Sequence, residues 1–185
     1  MEVIKTRLKD CIIIKPKVFE DARGYFMESY NFQRYSREAN LNVEFVQDNR
    51  SASVKNVLRG LHFQVKKPQG KLVSVTKGEV FDVAVDLRTD SDTFGCYESV
   101  ILNEENKLQF YIPAGFAHGF VVLSETAEFQ YKCTDYYDPA DESGIIWNDS
   151  KLDINWPVDN PILSDKDLKL ESFDTISIKL AREGN

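Results

Sequence analysis

Histidine is scarce in this chain: His62 and His118 are the only two in 185 residues. A transition-metal centre gathers several His, Cys or carboxylate ligands, often with two histidines one residue apart. These two are far apart and each stands alone in its segment, so no metal is expected. Cysteine is scarce too. Cys11, Cys96 and Cys133 are odd in number and widely spaced, which suits neither a disulfide framework nor zinc, and they read as reduced thiols in a cytoplasm. No apolar run approaches the roughly 20 residues of a membrane span. The opening MEVIKTRLKD lacks the apolar core of a signal peptide. Cytoplasmic localisation with no membrane partner is the expectation. Basic side chains are outnumbered, 23 against 30, for a net charge of −7. A nucleic-acid binder carries a basic face, so that class is disfavoured. A Gly-rich phosphate loop, a Gly-x-Ser-x-Gly elbow and a Rossmann fingerprint are all missing, so no cofactor and no serine nucleophile is implied.

What is present is a globular composition, 42% hydrophobic and 29% charged. With no repeat or low-complexity linker, residues 1–185 read as one domain with a sizeable core. Short apolar runs punctuated by Gly, Asn, Asp and Pro predict strands over 12–14, 18–19, 24–28, 43–47, 57–64, 71–77, 79–87, 99–102, 109–112, 119–123 and 127–134. A short helix is predicted over 31–40. Ser164 and Asp167 have the spacing of a helix cap and predict a C-terminal turn. The fold class is all-β, an antiparallel sandwich or barrel with short flanking helices. Alternation puts Phe81, Val83, Val85 and Leu87 on one face of their strand and Asp82, Ala84 and Asp86 on the other. Phe129, Tyr131 and Cys133 likewise oppose Glu128, Gln130 and Lys132.

Taken singly, each polar candidate has two readings. His62 among apolar neighbours is a half-buried histidine with a satisfied ring, or a base. His118, in a Gly- and Pro-bounded turn entering a strand, is structural or functional. Tyr131 is core or acid, Asp167 is a cap or a carboxylate partner, and Lys71 is a solvated strand end or a positioned cation.

Eight segments in order change the weighing. They are 21–29 (DARGYFMES), 45–49 (FVQDN), 57–64 (VLRGLHFQ), 69–73 (QGKLV), 78–86 (GEVFDVAVD), 112–120 (IPAGFAHGF), 131–137 (YKCTDYY) and 163–167 (LSDKD). Together they resemble the dTDP-4-dehydrorhamnose 3,5-epimerases of deoxysugar biosynthesis. The resemblance implies a cupin-like β-barrel, or jelly roll, in a homodimer. It implies an isomerase that needs no cofactor and acts on a dTDP-linked 4-keto-6-deoxyhexose. Residue by residue, it implies His62 as base, Asp167 as its orienting carboxylate, Tyr131 as proton donor on the other face of the sugar, and Lys71 as the cation near the ketone oxygen. It implies Arg23, Glu28, Gln47, Asp48, Asn49, Arg59, His118, Glu142 and Lys166 as binding positions, with Asp82 and Tyr137 lining the pocket. The chain departs from the pattern at Arg50, where the family often has histidine.

The chemistry implied is proton transfer beside a ketone. Carbons 3 and 5 both flank the carbonyl at carbon 4, which acidifies their protons. Removing one puts charge on the ketone oxygen, where Lys71 would act. An unperturbed histidine titrates near working pH, and a carboxylate beside it favours the imidazolium. Arg23 and Arg59 would clamp the diphosphate. Two other readings stand beside this one: a single-site epimerase on another nucleotide-linked 4-ketosugar, and a non-catalytic sugar-nucleotide binding module. Arg59 and His62 are an odd number of residues apart, so a regular strand would send them to opposite faces. An irregularity or a strand end between Arg59 and His62 is therefore predicted, with Gly60 offering the place for a bulge.

Overall fold

The structure, a computed structural model, describes residues 1–183. Its strands are β1 (Glu2–Lys5), β2 (Ile12–Lys15), β3 (Val18–Asp21), β4 (Gly24–Met27), β5 (Gln47–Val54), β6 (Leu58–Gln64), β7 (Lys71–Lys77), β8 (Glu79–Asp86), β9 (Tyr97–Asn103), β10 (Gln109–Ile112), β11 (Phe116–Val122), β12 (Thr126–Cys133) and β13 (Glu142–Gly144). Two helices, α1 (Phe32–Ala39) and α2 (Phe173–Glu183), and a 3-10 turn (Asp167–Lys169) complete the elements. One sheet runs β1-β2-β10-β7-β12-β5, a second runs β13-β6-β11-β8-β9, and β3 and β4 form a separate hairpin. The strand pairings are antiparallel. This is the all-β antiparallel fold that the strand pattern predicts, arranged as the jelly roll that the resemblance implies.

The alternation sorts side chains into layers. Phe110 and Phe129 from the first sheet meet Val80, Ala84, Leu102 and Phe120 from the second in the central core. Each buried Val, Leu or Phe among them contributes about 1.5–3 kcal/mol. The far face of the second sheet, with Val83, Val85 and Leu87, packs on Trp156 and Ile176 of the C-terminal segment. On the outer face of the first sheet, Ile14, Leu72 and Tyr111 pack on Tyr35 of α1. That helix forms where predicted. The Asn31 side chain accepts from the Arg34 N–H, and Asn40 ends it in the left-handed region at φ 54°.

Two expectations are corrected. The strand predicted over 43–47 begins at Gln47 and runs to Val54. Val43 and Phe45 are apolar because they pack near Tyr35, not because they alternate in a sheet. The true strand hides in polar residues, with Asn49, Ser51 and Ser53 turned inward and Asp48, Arg50, Ala52 and Val54 outward. His118 lies in the middle of β11, not in a turn. The sequence reading also passes over β1, β13 and α2, although Phe173, Ile176 and Leu180 have helical spacing.

Candidate active site

The two histidines stand opposite each other on neighbouring strands, His118 of β11 against His62 of β6. Each has its own carboxylate. His62 Nε2 lies 2.5 Å from Asp167 Oδ1. Asp167 is fixed by its exchange with Ser164: the Ser164 hydroxyl donates to Asp167 Oδ2 at 2.9 Å and accepts from the Asp167 N–H at 3.1 Å. The spacing read as a cap thus sets the carboxylate against the imidazole. Burial works to raise the Asp167 pKa, but the hydrogen bonds from His62 and Ser164 win and hold it below the ordinary carboxylate range. The second pair differs. His118 Nε2 lies 3.1 and 3.0 Å from the two oxygens of Asp82, and both residues are buried. Burial pushes Asp82 up and His118 down, toward a neutral pair.

The facing sheet supplies a cation and a phenol. Lys71 opens β7 and stands opposite Cys133 in the β7–β12 ladder, with Tyr131 two residues earlier in β12. Burial holds Lys71 below its ordinary value and pushes Tyr131 up. Tyr131 therefore stays a phenol that can donate.

Two cavities open on these groups. The larger, about 440 Å³, is lined by Arg59, His62, Lys71, His118, Tyr131, Lys166 and Asp167, among others. The smaller, about 280 Å³, is lined by Gln47, Asn49, His62, Lys71, Tyr131, Tyr137 and Glu142, among others. His62, Lys71 and Tyr131 form the wall common to both. Glu142 of β13 accepts a hydrogen bond from the Tyr137 hydroxyl at 2.5 Å and pairs with the Lys166 ammonium. Its Oε1 lies 4.0 Å from His62 Nδ1. Burial opposes its ionisation, but Lys166 and Tyr137 outweigh that and hold it below the ordinary range. The same bond pushes Tyr137 up to about 12.

Arg59 and His62 line the same cavity despite their odd spacing. In the β6–β11 ladder His62 pairs with His118 and Arg59 with Phe120, so β6 carries one extra residue there. Gly60 sits in it at φ 119°. The predicted irregularity is present.

Four sequence candidates line neither cavity: Arg23, Glu28, Asp48 and Asp82, the last fully buried behind His118 and not on the pocket wall. Arg23, in the turn between β3 and β4, is exposed and bonded to Asp21. Glu28 pairs with Arg34 at 3.0 Å. Asp48 turns to the outer face, where Lys132 meets it at 2.9 Å. Arg50 also points outward, to Glu128, so the departure from the family pattern falls away from the cavities. One residue was not singled out. Gln64, buried in β6, donates to the carbonyls of Lys67 and Tyr136 and accepts from the Asp138 N–H. It pins the loop that carries Tyr137. Its parity with His62 on one strand was the available signal. Among the described residues, no group of three or more His, Cys, Asp or Glu is placed to hold a metal ion, and no helix is long and apolar enough to cross a membrane.

A family model described as dTDP-4-dehydrorhamnose 3,5-epimerase matches residues 5–175. The chain is 55% identical over 174 residues to the dTDP-4-dehydrorhamnose 3,5-epimerase of Shigella flexneri, covering 94% of this chain and 96% of that one. Among solved structures it resembles the dTDP-6-deoxy-D-glucose-3,5-epimerase of Legionella pneumophila in complex with dTDP-4-keto-L-rhamnose, with a TM-score of 0.93 and 51% identity over 97% of this chain and 96% of that one. It also resembles the dTDP-4-dehydrorhamnose 3,5-epimerase of Elizabethkingia anophelis, with a TM-score of 0.90 and 54% identity over 95% and 97%.

Proposed function

Because this chain belongs to the dTDP-4-dehydrorhamnose 3,5-epimerase family, we propose that it inverts carbons 3 and 5 of dTDP-4-dehydro-6-deoxy-D-glucose to give dTDP-4-dehydro-L-rhamnose. The observation that carries the reading is His62, held by Asp167 at 2.5 Å, on a cavity wall shared with Tyr131 and Lys71. With Nε2 occupied by Asp167, Nδ1 is the nitrogen left to take a proton from a carbon beside the ketone. The electron pair moves into an enolate and charge gathers on the ketone oxygen. Lys71, whose ammonium is disfavoured by burial, gains most from a neighbouring negative charge. It therefore interacts more strongly with the enolate than with the ketone. Tyr131 returns a proton to the opposite face, which inverts the carbon. Ionised Asp167 steadies the imidazolium. Arg59, at the same cavity, takes the diphosphate.

We further propose a cytoplasmic homodimer. Phe19, Tyr25 and Phe26 of the β3–β4 hairpin are exposed, and a second copy would cover them. The same contact would carry Arg23 from its own hairpin to the other subunit's cavity. A monomer mass by sedimentation at micromolar concentration would overturn this.

The function is tested by running the reaction in deuterium oxide and reading each carbon by proton NMR. The wild type should exchange at carbons 3 and 5, whereas a single-site epimerase would exchange at one. His62→Ala should lose exchange at both carbons and still bind dTDP. Tyr131→Phe should keep exchange at the first carbon while net inversion falls. Near wild-type turnover in His62→Ala would sink the assignment.

A further inference from the structure

We propose that Glu142 is the outlet through which His62 sheds the proton it has taken, so that one base can act twice on one bound sugar. This rests on the epimerase reading above. After the first inversion His62 is an imidazolium and Tyr131 a phenolate. The second carbon needs both restored. A sugar lying between them blocks direct transfer, so the proton must leave His62 by another route.

Only one of its two nitrogens has such a route. Nε2 is bound to Asp167, whose carboxylate is buried and already holds the Ser164 hydroxyl, so a proton placed there goes no further. Nδ1 lies 4.0 Å from Glu142 Oε1, a gap that a small rotation of the glutamate closes. The other oxygen of Glu142 is held by Tyr137 and Lys166, which leaves Oε1 as the acceptor. Glu142 also lines the smaller cavity, and so does Tyr131. Its volume of about 280 Å³ has room for several waters, each taking ≈ 30 Å³ of liquid volume. The base and the acid thus reach one polar space without crossing the sugar.

The step balances. The imidazolium gives its Nδ1 proton to the Glu142 carboxylate, leaving neutral His62 and a carboxylic acid. The acid passes the proton to water in the smaller cavity, and the Tyr131 phenolate takes one from that water. One proton has moved from base to acid and the enzyme has returned to its starting state. Because Lys166 and Tyr137 favour the ionised carboxylate, Glu142 holds the proton only in passing. It acts through His62 and is a positioning residue for that proton.

The test is single-turnover epimerisation in deuterium oxide, wild type against Glu142→Gln. The variant should invert the first carbon in a burst and then stall. The singly inverted sugar should accumulate, and the second inversion should slow by about tenfold or more, within the range of proton-transfer catalysis. In Glu142→Ala, added formate should restore the second step. Should either variant fail to fold, Glu142→Asp, which keeps the charge and widens the gap, should show a weaker form of the same stall. The proposal is overturned if both inversions slow by the same factor, if neither slows, or if formate has no effect. Failure of the wild type to exchange at either carbon would instead remove the epimerase reading itself.

Discussion

Gly60 and Gly24 form a matched pair that separates two costs of adding a methyl group. Their φ angles are nearly equal, 119° and 122°. A Cβ at Gly24 would meet nothing within 4 Å. One at Gly60 would stand 2.6 Å from Gly119 Cα and 2.7 Å from the His118 carbonyl oxygen. Both obstacles are backbone of the neighbouring strand β11, which cannot turn aside as a flexible side chain can. Within its own subunit, Gly24→Ala should therefore cost only the backbone strain of an L-residue at positive φ, about 1–2 kcal/mol. Gly60→Ala should add overpacking of about 1–3 kcal/mol, for a total of about 2–5 kcal/mol. With a urea m-value of about 2–3 kcal/mol per M, the unfolding midpoint should fall by about 1–2 M. The comparison is made at one protein concentration, since association also stabilises. Activity should fall beyond what stability explains, because prising β6 from β11 moves His62 off Asp167. Equal losses of stability in the two variants, within about 0.5 kcal/mol, would refute the packing argument.

Asp167→Asn should keep the fold and lower turnover by on the order of 10³–10⁴, because an amide neither steadies the imidazolium nor fixes the ring as a carboxylate does. Turnover within a factor of about ten of the wild type would count against that role. Asp86 accepts from Arg88, Ser91 and Thr93; although burial opposes it, these bonds lower its pKa from 3.8 to about 2. A depressed carboxylate stabilises fully above its unfolded value and loses that contribution as pH falls through the folded one. Urea titrations at pH 6 and pH 2 should therefore show a fall that is smaller in Asp86→Asn by about 2 kcal/mol; an equal fall in both proteins would contradict the linkage. Dialysis against a chelator should leave activity intact, since each histidine Nε2 already faces its own carboxylate. A loss restored by a divalent ion would contradict the metal-free mechanism.

The strands that carry buried faces were legible, because burial on one side enforces period two. β7 and β10 run over the predicted residues, and the inward face of β12, with Phe129 and Tyr131, was read correctly. β5 was not legible, because its inward residues are Asn49, Ser51 and Ser53. A strand that lines a polar cavity loses the apolar alternation that betrays other strands. The feature that makes β5 useful to the site is thus the feature that conceals it. Asp167 was legible only as a cap. Its place beside His62 depends on a chain segment more than a hundred residues away, and no local pattern carries that. The resemblance supplied it. The parity conflict between Arg59 and His62 shows the opposite case. There a local rule, applied strictly, pointed to Gly60 and to the extra residue in β6.

Two histidines on adjacent strands, each with an aspartate, pose a choice that the sequence alone leaves open. Burial decides it. The His62 side chain is 27% exposed and that of His118 only 8%. Asp167 is held below the ordinary carboxylate range, whereas Asp82, fully buried against His118, is pushed above it. A base must become a cation once it has taken a proton, and that cation needs an ionised neighbour. Asp167 can be that neighbour. Asp82 is ill suited, because burial already opposes its own charge and would oppose an imidazolium beside it as well. Under the proposed mechanism His62 therefore cycles through a charged state while His118 stays neutral. Its Nε2 is held by Asp82, which leaves Nδ1 for an oxygen of the sugar. Similar chemistry at the two sites is split into a mobile proton and a fixed hydrogen bond by depth in the barrel and by the hydroxyl that Ser164 gives to Asp167.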